Sequence, residues 1–96
     1  MASHLKNQWI VITGASSGFG AAAARAFAAL GCRLALGARR VDRLEQVARE
    51  CREVGAPDSF VHALDVSRSD SVRTFAAALR ARTERITVLV NNAGGA

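Results

Sequence analysis

The stretch that decides the fold is Thr13-Gly14-Ala15-Ser16-Ser17-Gly18-Phe19-Gly20. It follows an apolar, largely β-branched run at residues 9–13 and precedes an alanine-rich segment at residues 21–30. The first run is typical of a strand buried on both faces, and the second is typical of a helix. Glycines between them permit a tight turn and let N–H groups at the helix N-terminus meet a phosphate. The stretch therefore predicts a phosphate-binding loop, although glycine turns also occur between strands and helices for geometric reasons alone.

The same alternation of strand and helix continues along the chain. Further strands are predicted at residues 33–37, 59–64 and 87–90, and further helices at residues 41–54 and 69–82. Strands that alternate with helices of this length indicate a parallel sheet with right-handed crossovers. The fold class predicted is α/β: a partial doubly wound, Rossmann-like parallel sheet of four strands in order 3-2-1-4 with three crossover helices.

Helix ends and buried helix faces are also predicted from the pattern. Gly31 is placed to end the first helix in a left-handed conformation. The segment Ser67-Arg68-Ser69-Asp70 resembles a capping box before the third helix. Helical spacing predicts that the apolar residues of the last two helices face inward, namely Val41, Leu44, Val47, Ala48, Cys51, Val54, Val72, Phe75, Ala76 and Leu79.

Composition excludes several classes of protein. The chain has 96 residues and a net charge of +5, which favours phosphorylated or otherwise anionic partners. Its arginines alternate with acidic residues and lack interleaved aromatic residues, so nucleic-acid binding is not expected. No apolar run approaches the ~18 residues that a membrane span needs. The polar segment 1–8 is expected to be disordered. The cytoplasm is the expected location of the protein. Cys32 and Cys51 are expected to be buried and reduced, and no metal site is predicted.

Three motifs at predicted strand ends carry a family resemblance. Thr13-Gly14-x3-Gly18-x-Gly20, Asp65-Val66 and Asn91-Asn92-Ala93-Gly94 resemble, in order and position, the signatures of the short-chain dehydrogenases/reductases. The resemblance covers residues 6–95 and implies that Asp65 contacts adenine and that Asn91 and Asn92 order the site without doing chemistry. The cofactor-binding residues predicted from loop and resemblance together are Gly14, Ser16, Ser17, Gly18, Phe19, Gly20, Arg39, Arg40, Asp65, Val66, Asn91, Asn92, Ala93 and Gly94.

The end of the second strand predicts the form of the cofactor. Ala38 stands where NAD-specific members of the family carry an acid, and Arg39 follows it. A guanidinium binds a 2′-phosphate through charge-assisted hydrogen bonds, so NADP(H) is expected to be preferred over NAD(H). Arg40 either assists or begins the solvated face of the next helix, near which Asp42 is expected to interact with the helix dipole. Phe19 is expected to pack under the loop, with a contact on the nicotinamide side as the alternative.

The resemblance also implies a catalytic set that these residues lack. Family enzymes use a tyrosine, a lysine four residues after it and an upstream serine, all beyond the Asn-Asn-Ala-Gly motif. This chain has no tyrosine, and Lys6 is its only lysine. We therefore expect a single domain, residues 1–96, that binds NADP(H) but is truncated after the fourth strand and catalytically inactive alone. Its parent enzyme would transfer hydride between NADP(H) and a small carbonyl or alcohol substrate.

Two other functions and a structural consequence follow from the same residues. A stand-alone module that senses NADP(H) without catalysis is the main alternative, and a basic nucleic-acid binder is a third. The fourth strand would form one edge of the sheet, and its residues 88–90 are all apolar. Such an edge invites pairing with another chain, so marginal stability and self-association are expected.

Overall fold

The run Trp9–Thr13 forms the central strand β1, which is buried at all five positions. It pairs in parallel with β2 (Arg33–Ala38) on one side and with β4 (Val88–Asn91) on the other. Strand β3 (Ser59–Ala63) pairs in parallel with the outer side of β2. The order is therefore β3-β2-β1-β4, which confirms the predicted parallel sheet of order 3-2-1-4.

Three α-helices connect successive strands in this computed structural model, which describes residues 2–16, 18–83 and 85–92. Helix α1 spans Gly18–Ala29, α2 spans Val41–Val54 and α3 spans Ser69–Arg80. Helix α1 begins three residues before the predicted start because two loop glycines belong to its first turn. Within the described residues, no helix has both the length and the apolar character that crossing a bilayer requires.

Two apolar clusters cover opposite faces of the sheet. Alternate residues of β1 and β2 point to each face, as strand geometry requires. Helices α1 and α2 cover one face, where the largest fully buried side chains are Ile10, Ile12, Leu34, Leu36, Leu44, Cys32 and Cys51. Helix α3 covers the other, whose buried residues are Trp9, Val11, Ala35, Phe60, Leu64, Phe75 and Leu79. Both cysteines are buried, as expected.

The predicted inward faces of α2 and α3 are correct in the middle of each helix and wrong at the ends. Val41 and Val54, the first and last residues of α2, are exposed, and Val72 in the first turn of α3 is exposed too. Each helix starts beyond the carboxyl end of the preceding strand, so its first turn has no strand beneath it. Ala76 is only half-buried.

One predicted helix end is confirmed and one is wrong. Gly31 has φ +83° and donates its N–H to Ala28 O at 2.9 Å, and the N–H of Cys32 reaches Phe27 O at 3.2 Å. This is the glycine-terminated helix end predicted for α1. The capping box is absent, because the N-cap of α3 is Arg68, which makes no side-chain capping hydrogen bond.

Residues 2–8, before β1, are attached to the sheet by hydrogen bonds, contrary to the disorder expected of this segment. Ala2–Leu5 form a 3₁₀ helix, and the N–H of Asn7 donates to Gly31 O at 2.8 Å. The hydroxyl of Thr87 donates to Gln8 Oε1 at 2.8 Å. These bonds attach the segment to the amino end of the sheet, opposite the edge where the predicted site residues lie.

Candidate functional site

The carboxyl ends of the four strands lie side by side at one edge of the sheet. Thr13 at the end of β1 is level with Gly37 of β2 and with Asn91 of β4, and Ala38 is level with Ala63 of β3. The loop after β1 and the residues that follow β2 and β3 therefore open on one edge with the end of β4. This is where ligands bind in open parallel sheets.

The glycine loop is attached to the strands on both sides of β1. The N–H of Ala15 donates to Gly37 O of β2 at 3.2 Å, and Asn92 donates its Nδ2 to Gly14 O at 3.2 Å. Gly14 and Ala15, the start of the loop, are thus held against the ends of the neighbouring strands. A loop that is preorganised in this way loses less entropy when a ligand binds to it.

The two glycines in the first turn of α1 serve different purposes. A Cβ at Gly20 would overlap Gly14 O and would lie 2.8 Å from Asn92 Nδ2, so only glycine permits this close approach. A Cβ at Gly18 would meet nothing within 4 Å, and the φ of this residue is +58°. Gly20 therefore packs the helix onto the loop, whereas the space in front of Gly18 is open.

A threonine connects the loop to the end of β4. Thr13 donates its hydroxyl to Asn91 Oδ1 at 3.0 Å and accepts the N–H of Asn92 at 3.0 Å. Thr13 is the buried polar residue of the described chain. Thr13 belongs to the predicted motif, but no role was predicted for it. The signal in the sequence that could have revealed a role is a hydroxyl at the end of one strand beside a strand that ends in two asparagines. The structure thus brings together Thr13, Gly14, Asn91 and Asn92.

The two arginines after β2 differ in their partners. Arg40 Nη2 lies 3.4 Å from Asp42 Oδ2, and this hydrogen bond holds the pKa of Asp42 below its ordinary value. No carboxylate in the described part of the chain lies within ion-pair distance of Arg39, which is exposed. Arg39 is therefore the cation at this strand end that has its charge available for a ligand.

Asp65 is held as a carboxylate beside an apolar surface. Ser67 donates its hydroxyl and its N–H to Asp65 Oδ1, at 2.6 Å and 3.1 Å. These bonds, with a smaller contribution from the charge of Arg39, hold the pKa of Asp65 below its ordinary value. Val66 beside it is exposed. The carboxylate of Asp65, a negatively charged hydrogen-bond acceptor, therefore precedes an exposed apolar side chain, that of Val66.

Phe19 does not pack under the loop as expected, because its side chain is 76% exposed. The space beneath the loop is taken by the close contact of Gly20 with Gly14 and Asn92. Ser16 is half-buried in the loop. The predicted site residues Ser17, Ala93 and Gly94 lie outside the described residues.

A family model described as short chain dehydrogenase matches residues 8–96. The chain belongs to the short-chain dehydrogenase family. The match includes the glycine loop, the end of β3 and the asparagine pair, so the resemblance inferred from three motifs is confirmed over most of the chain.

Relatives in the short-chain dehydrogenase family resemble this chain in both sequence and structure. Sulfoacetaldehyde reductase from Chromohalobacter salexigens is 47% identical over 85 residues, which are 88% of this chain and 33% of that protein. An alcohol dehydrogenase from Thermococcus sibiricus complexed with 5-hydroxy-NADP has 47% identity and a TM-score of 0.82, covering 88% of this chain and 36% of that one. L-Sorbose reductase from Gluconobacter frateurii, complexed with NADPH and L-sorbose, has 37% identity and a TM-score of 0.90, covering 98% and 36%. The chain spans 24–36% of the length of the curated relatives it matches.

Proposed function

We propose that this chain is the NADP(H)-binding part of a short-chain dehydrogenase that transfers hydride between NADP(H) and a small carbonyl or alcohol substrate. The observation that carries the proposal is Arg39, directly after Ala38 and the end of β2, which has no carboxylate within ion-pair distance among the described residues. An acid at that position would repel a 2′-phosphate, whereas a guanidinium binds it. We also propose that residues 1–96 form a single nucleotide-binding domain.

The glycine loop fits the pyrophosphate of such a cofactor. The first N–H groups of α1 have no partner within the helix, and they face a ligand at the positive end of the helix dipole. The open space in front of Gly18 leaves room for phosphate oxygens to approach the backbone. We assign this contact to Gly14, Ser16, Ser17, Gly18, Phe19 and Gly20.

The residues after β2 and β3 fit the adenosine half. Arg39 binds the 2′-phosphate, while Arg40 contributes less because its guanidinium already pairs with Asp42. Asp65 accepts a hydrogen bond from the adenine amino group, and Val66 offers an apolar surface to the ring. At ~1.5–3 kcal/mol for a charge-assisted bond, Arg39 accounts for a preference for NADP(H) over NAD(H) of roughly 10- to 100-fold.

The end of β4 fits the nicotinamide half. Asn91 and Asn92 hold the loop and strand in place through Thr13 and Gly14, and Ala93 and Gly94, which we assign to the same half of the cofactor, follow them in the sequence. When bound, the dinucleotide supplies or accepts the hydride. The residues of this chain bind and orient it, and the tyrosine and lysine that the family uses for proton transfer are not among these 96 residues.

A titration with matched variants tests the proposal. Isothermal titration calorimetry should show NADP+ binding to the chain at least tenfold more tightly than NAD+. Arg39→Ala should weaken NADP+ binding roughly 10- to 100-fold and change NAD+ binding less than twofold. Arg80→Ala, at the exposed end of α3, is the control and should bind both nucleotides like the wild type. Equal affinity of the wild type for the two nucleotides would contradict the assignment of Arg39.

A second candidate is a module that senses NADP(H) without catalysis, which would use the same glycine loop and the same Arg39. It predicts the same titration results, so the distinction requires another observation. A Tyr-x3-Lys sequence encoded in frame after codon 96 would decide for the enzyme. A stop codon directly after Ala96, together with tight NADPH binding and no NADPH oxidation by carbonyl substrates, would decide for the module.

A further inference from the structure

Asp65 is the residue at which the chain leaves the sheet and turns towards α3. The N–H of Leu64, just before it, still pairs with the sheet, because it donates to Ala38 O at 2.9 Å. The next N–H, that of Asp65, donates instead to Ser71 Oγ in the first turn of α3, at 2.9 Å. Ser71 therefore connects the helix directly to the backbone of the residue that we assign to adenine.

The hydroxyl of Ser71 is used differently from that of Thr74, further along the same helix. Thr74 donates its hydroxyl to Asp70 O, one turn back in α3, at 2.9 Å. Such a bond is the local one that serine and threonine make inside helices. The Ser71 hydroxyl instead accepts from Asp65, six residues earlier and outside the helix, and both residues are half-buried. The requirements of α3 alone therefore do not account for a hydroxyl at position 71.

Phe75, one turn after Ser71 on the same side of α3, packs the helix onto the sheet. A Cβ at Gly37 of β2 would lie 2.8 Å from Phe75 Cε2 and 2.8 Å from Leu64 Cδ2. The absence of a side chain at Gly37 thus lets the Phe75 ring, which is buried, lie directly against the strand. Because Gly37 is next to the last residue of β2, this contact holds the first turns of α3 at the carboxyl end of the sheet.

The remaining hydrogen bonds of Asp65 leave one carboxylate oxygen available. Asp65 O accepts the N–H of Arg68 at 3.1 Å, and Oδ1 accepts the N–H and the hydroxyl of Ser67. Among the residues that the structure describes, none donates a hydrogen bond to Oδ2, and no cation lies within ion-pair distance of it. The N–H bond to Ser71 and the two bonds to Oδ1 together determine the direction in which Oδ2 points.

We propose that Ser71 is a positioning residue for adenine recognition, because it holds the backbone of Asp65 where the available carboxylate oxygen accepts the adenine amino group. Without the Ser71 hydroxyl, the half-buried N–H of Asp65 has no partner in the protein, and the backbone turns to bring it to water. That rotation changes the direction of Oδ2 and weakens its bond to the amino group. The inference rests on the proposed binding of NADP(H) and adds to it a residue that selects the purine base.

The test compares NADP+ with nicotinamide hypoxanthine dinucleotide phosphate. The two nucleotides differ only in the purine, in which a carbonyl oxygen takes the place of the adenine amino group and repels the Asp65 carboxylate. Calorimetric titration of the wild-type chain should show a roughly tenfold preference for NADP+. Ser71→Ala should weaken NADP+ binding roughly three- to tenfold and leave the hypoxanthine nucleotide within about twofold of the wild type.

Further variants separate positioning from folding. Ser71→Thr keeps the hydroxyl and should restore the preference, whereas Ser71→Cys keeps the size but offers a weak acceptor and should behave like the alanine variant. Ser69→Ala, exposed in the same first turn, is the matched control and should bind both nucleotides like the wild type. In an Asp65→Ala background, Ser71→Ala should change neither affinity, because the carboxylate that it positions is gone. Circular dichroism and urea unfolding establish that each variant is folded, and the cysteine variant replaces the alanine variant if the latter is not.

The outcomes distinguish this inference from the proposed function. If Asp65→Ala loses the preference for NADP+ and Ser71→Ala keeps it, the adenine assignment stands and the role of Ser71 is overturned. Equal losses for both nucleotides in Ser71→Ala also overturn it, because that pattern reports a displaced α3. If the wild type binds both nucleotides equally, the adenine contact of Asp65 and the role of Ser71 fail together, whereas the titration of NADP+ against NAD+ judges Arg39 separately.

Discussion

At the scale of single residues, substitution of Gly18 causes conformational strain, whereas substitution of Gly20 causes steric overlap. Gly20→Ala places a methyl group against Gly14 O and Asn92 Nδ2, so the loop must shift, at a cost of about 1–3 kcal/mol. Gly18→Ala meets no atom within 4 Å and costs only the ~1–2 kcal/mol of a left-handed alanine. We expect both variants to weaken nucleotide binding, since both glycines belong to the loop assigned to the pyrophosphate, but only Gly20→Ala to displace Gly14 and Asn92 in the free protein. Urea unfolding followed by Trp9 fluorescence measures stability, and a Gly20→Ala variant as stable as the wild type would contradict the predicted overlap.

The second residue-scale prediction concerns the pKa of Asp65. The hydrogen bonds from Ser67 lower it in the folded chain relative to the unfolded chain. The ionised carboxylate therefore stabilises the fold above the unfolded pKa, and this contribution disappears as pH falls through the folded pKa. Ser67→Ala should raise the pKa of Asp65 towards its ordinary value in a carboxyl NMR titration. The stability difference between wild type and variant should shrink in acid.

A matched serine controls that experiment. Ser69 is exposed at the start of α3, so Ser69→Ala should leave the Asp65 titration unchanged. An Asp65 pKa that stays the same in Ser67→Ala would mean that the backbone N–H alone holds the carboxylate. In that case the hydroxyl would have no electrostatic role.

The contacts between individual side chains are the part of the site that the sequence does not predict. The positions of Gly14, Arg39, Asp65 and Asn91 at one edge follow from strand periodicity, because parallel strands end at the same side. The partners of these side chains depend on torsion angles that periodicity does not specify. The sequence left the role of Arg40 open, and its pairing with Asp42 became visible only in the structure.

At the scale of elements, an arginine fixes the region after α3 to the sheet. The guanidinium of Arg82 lies 5.9 Å from the Trp9 ring centre and 5.6 Å from that of Phe60. Its Nη2 lies 2.7 Å from Asp58 Oδ2, in a pair whose side chains are 42% and 34% exposed. Solvent screens this pair, so we expect Arg82→Ala to lower the free energy of unfolding by only about 1 kcal/mol.

The neighbouring arginine provides the comparison. Arg80→Ala removes an exposed side chain from the same end of α3 and should leave stability within about 0.5 kcal/mol of the wild type. Urea unfolding monitored by Trp9 fluorescence suits both variants, since Trp9 is the only tryptophan. Equal stability of the two variants would mean that the ring contacts of Arg82 contribute nothing measurable.

Element boundaries were predicted within three residues, and the exceptions have local causes. The spacing of Leu44, Val47 and Cys51 identifies α2 because a buried helix face repeats every three to four residues. The capping box failed because α3 begins one residue later than it requires, with Arg68 as the N-cap, and Ser67 instead donates its hydroxyl back to Asp65 Oδ1. Serine that precedes a helix can bond backward or forward, and the sequence pattern is the same in both cases.

At the scale of the whole molecule, the two faces of the sheet are covered unequally. Two helices cover one face, whereas α3 alone covers the other. Leu89 of β4 pairs with Val11 and is 64% exposed. Within the described residues, β4 has a strand on one side only. An apolar strand with unpaired backbone groups and no charged residue is prone to pair with another chain.

We therefore expect this 96-residue chain to associate as its concentration rises. Sedimentation velocity over a wide concentration range should show a monomer at the low end and larger species at the high end. Leu89→Lys places a charge on the exposed face of β4, which disfavours strand pairing and removes an exposed apolar side chain. It should shift association to higher concentration and leave the urea midpoint nearly unchanged. Leu30→Lys, at an exposed position after α1, should not shift it. If both lysine variants associate like the wild type, the contact between chains lies elsewhere than β4.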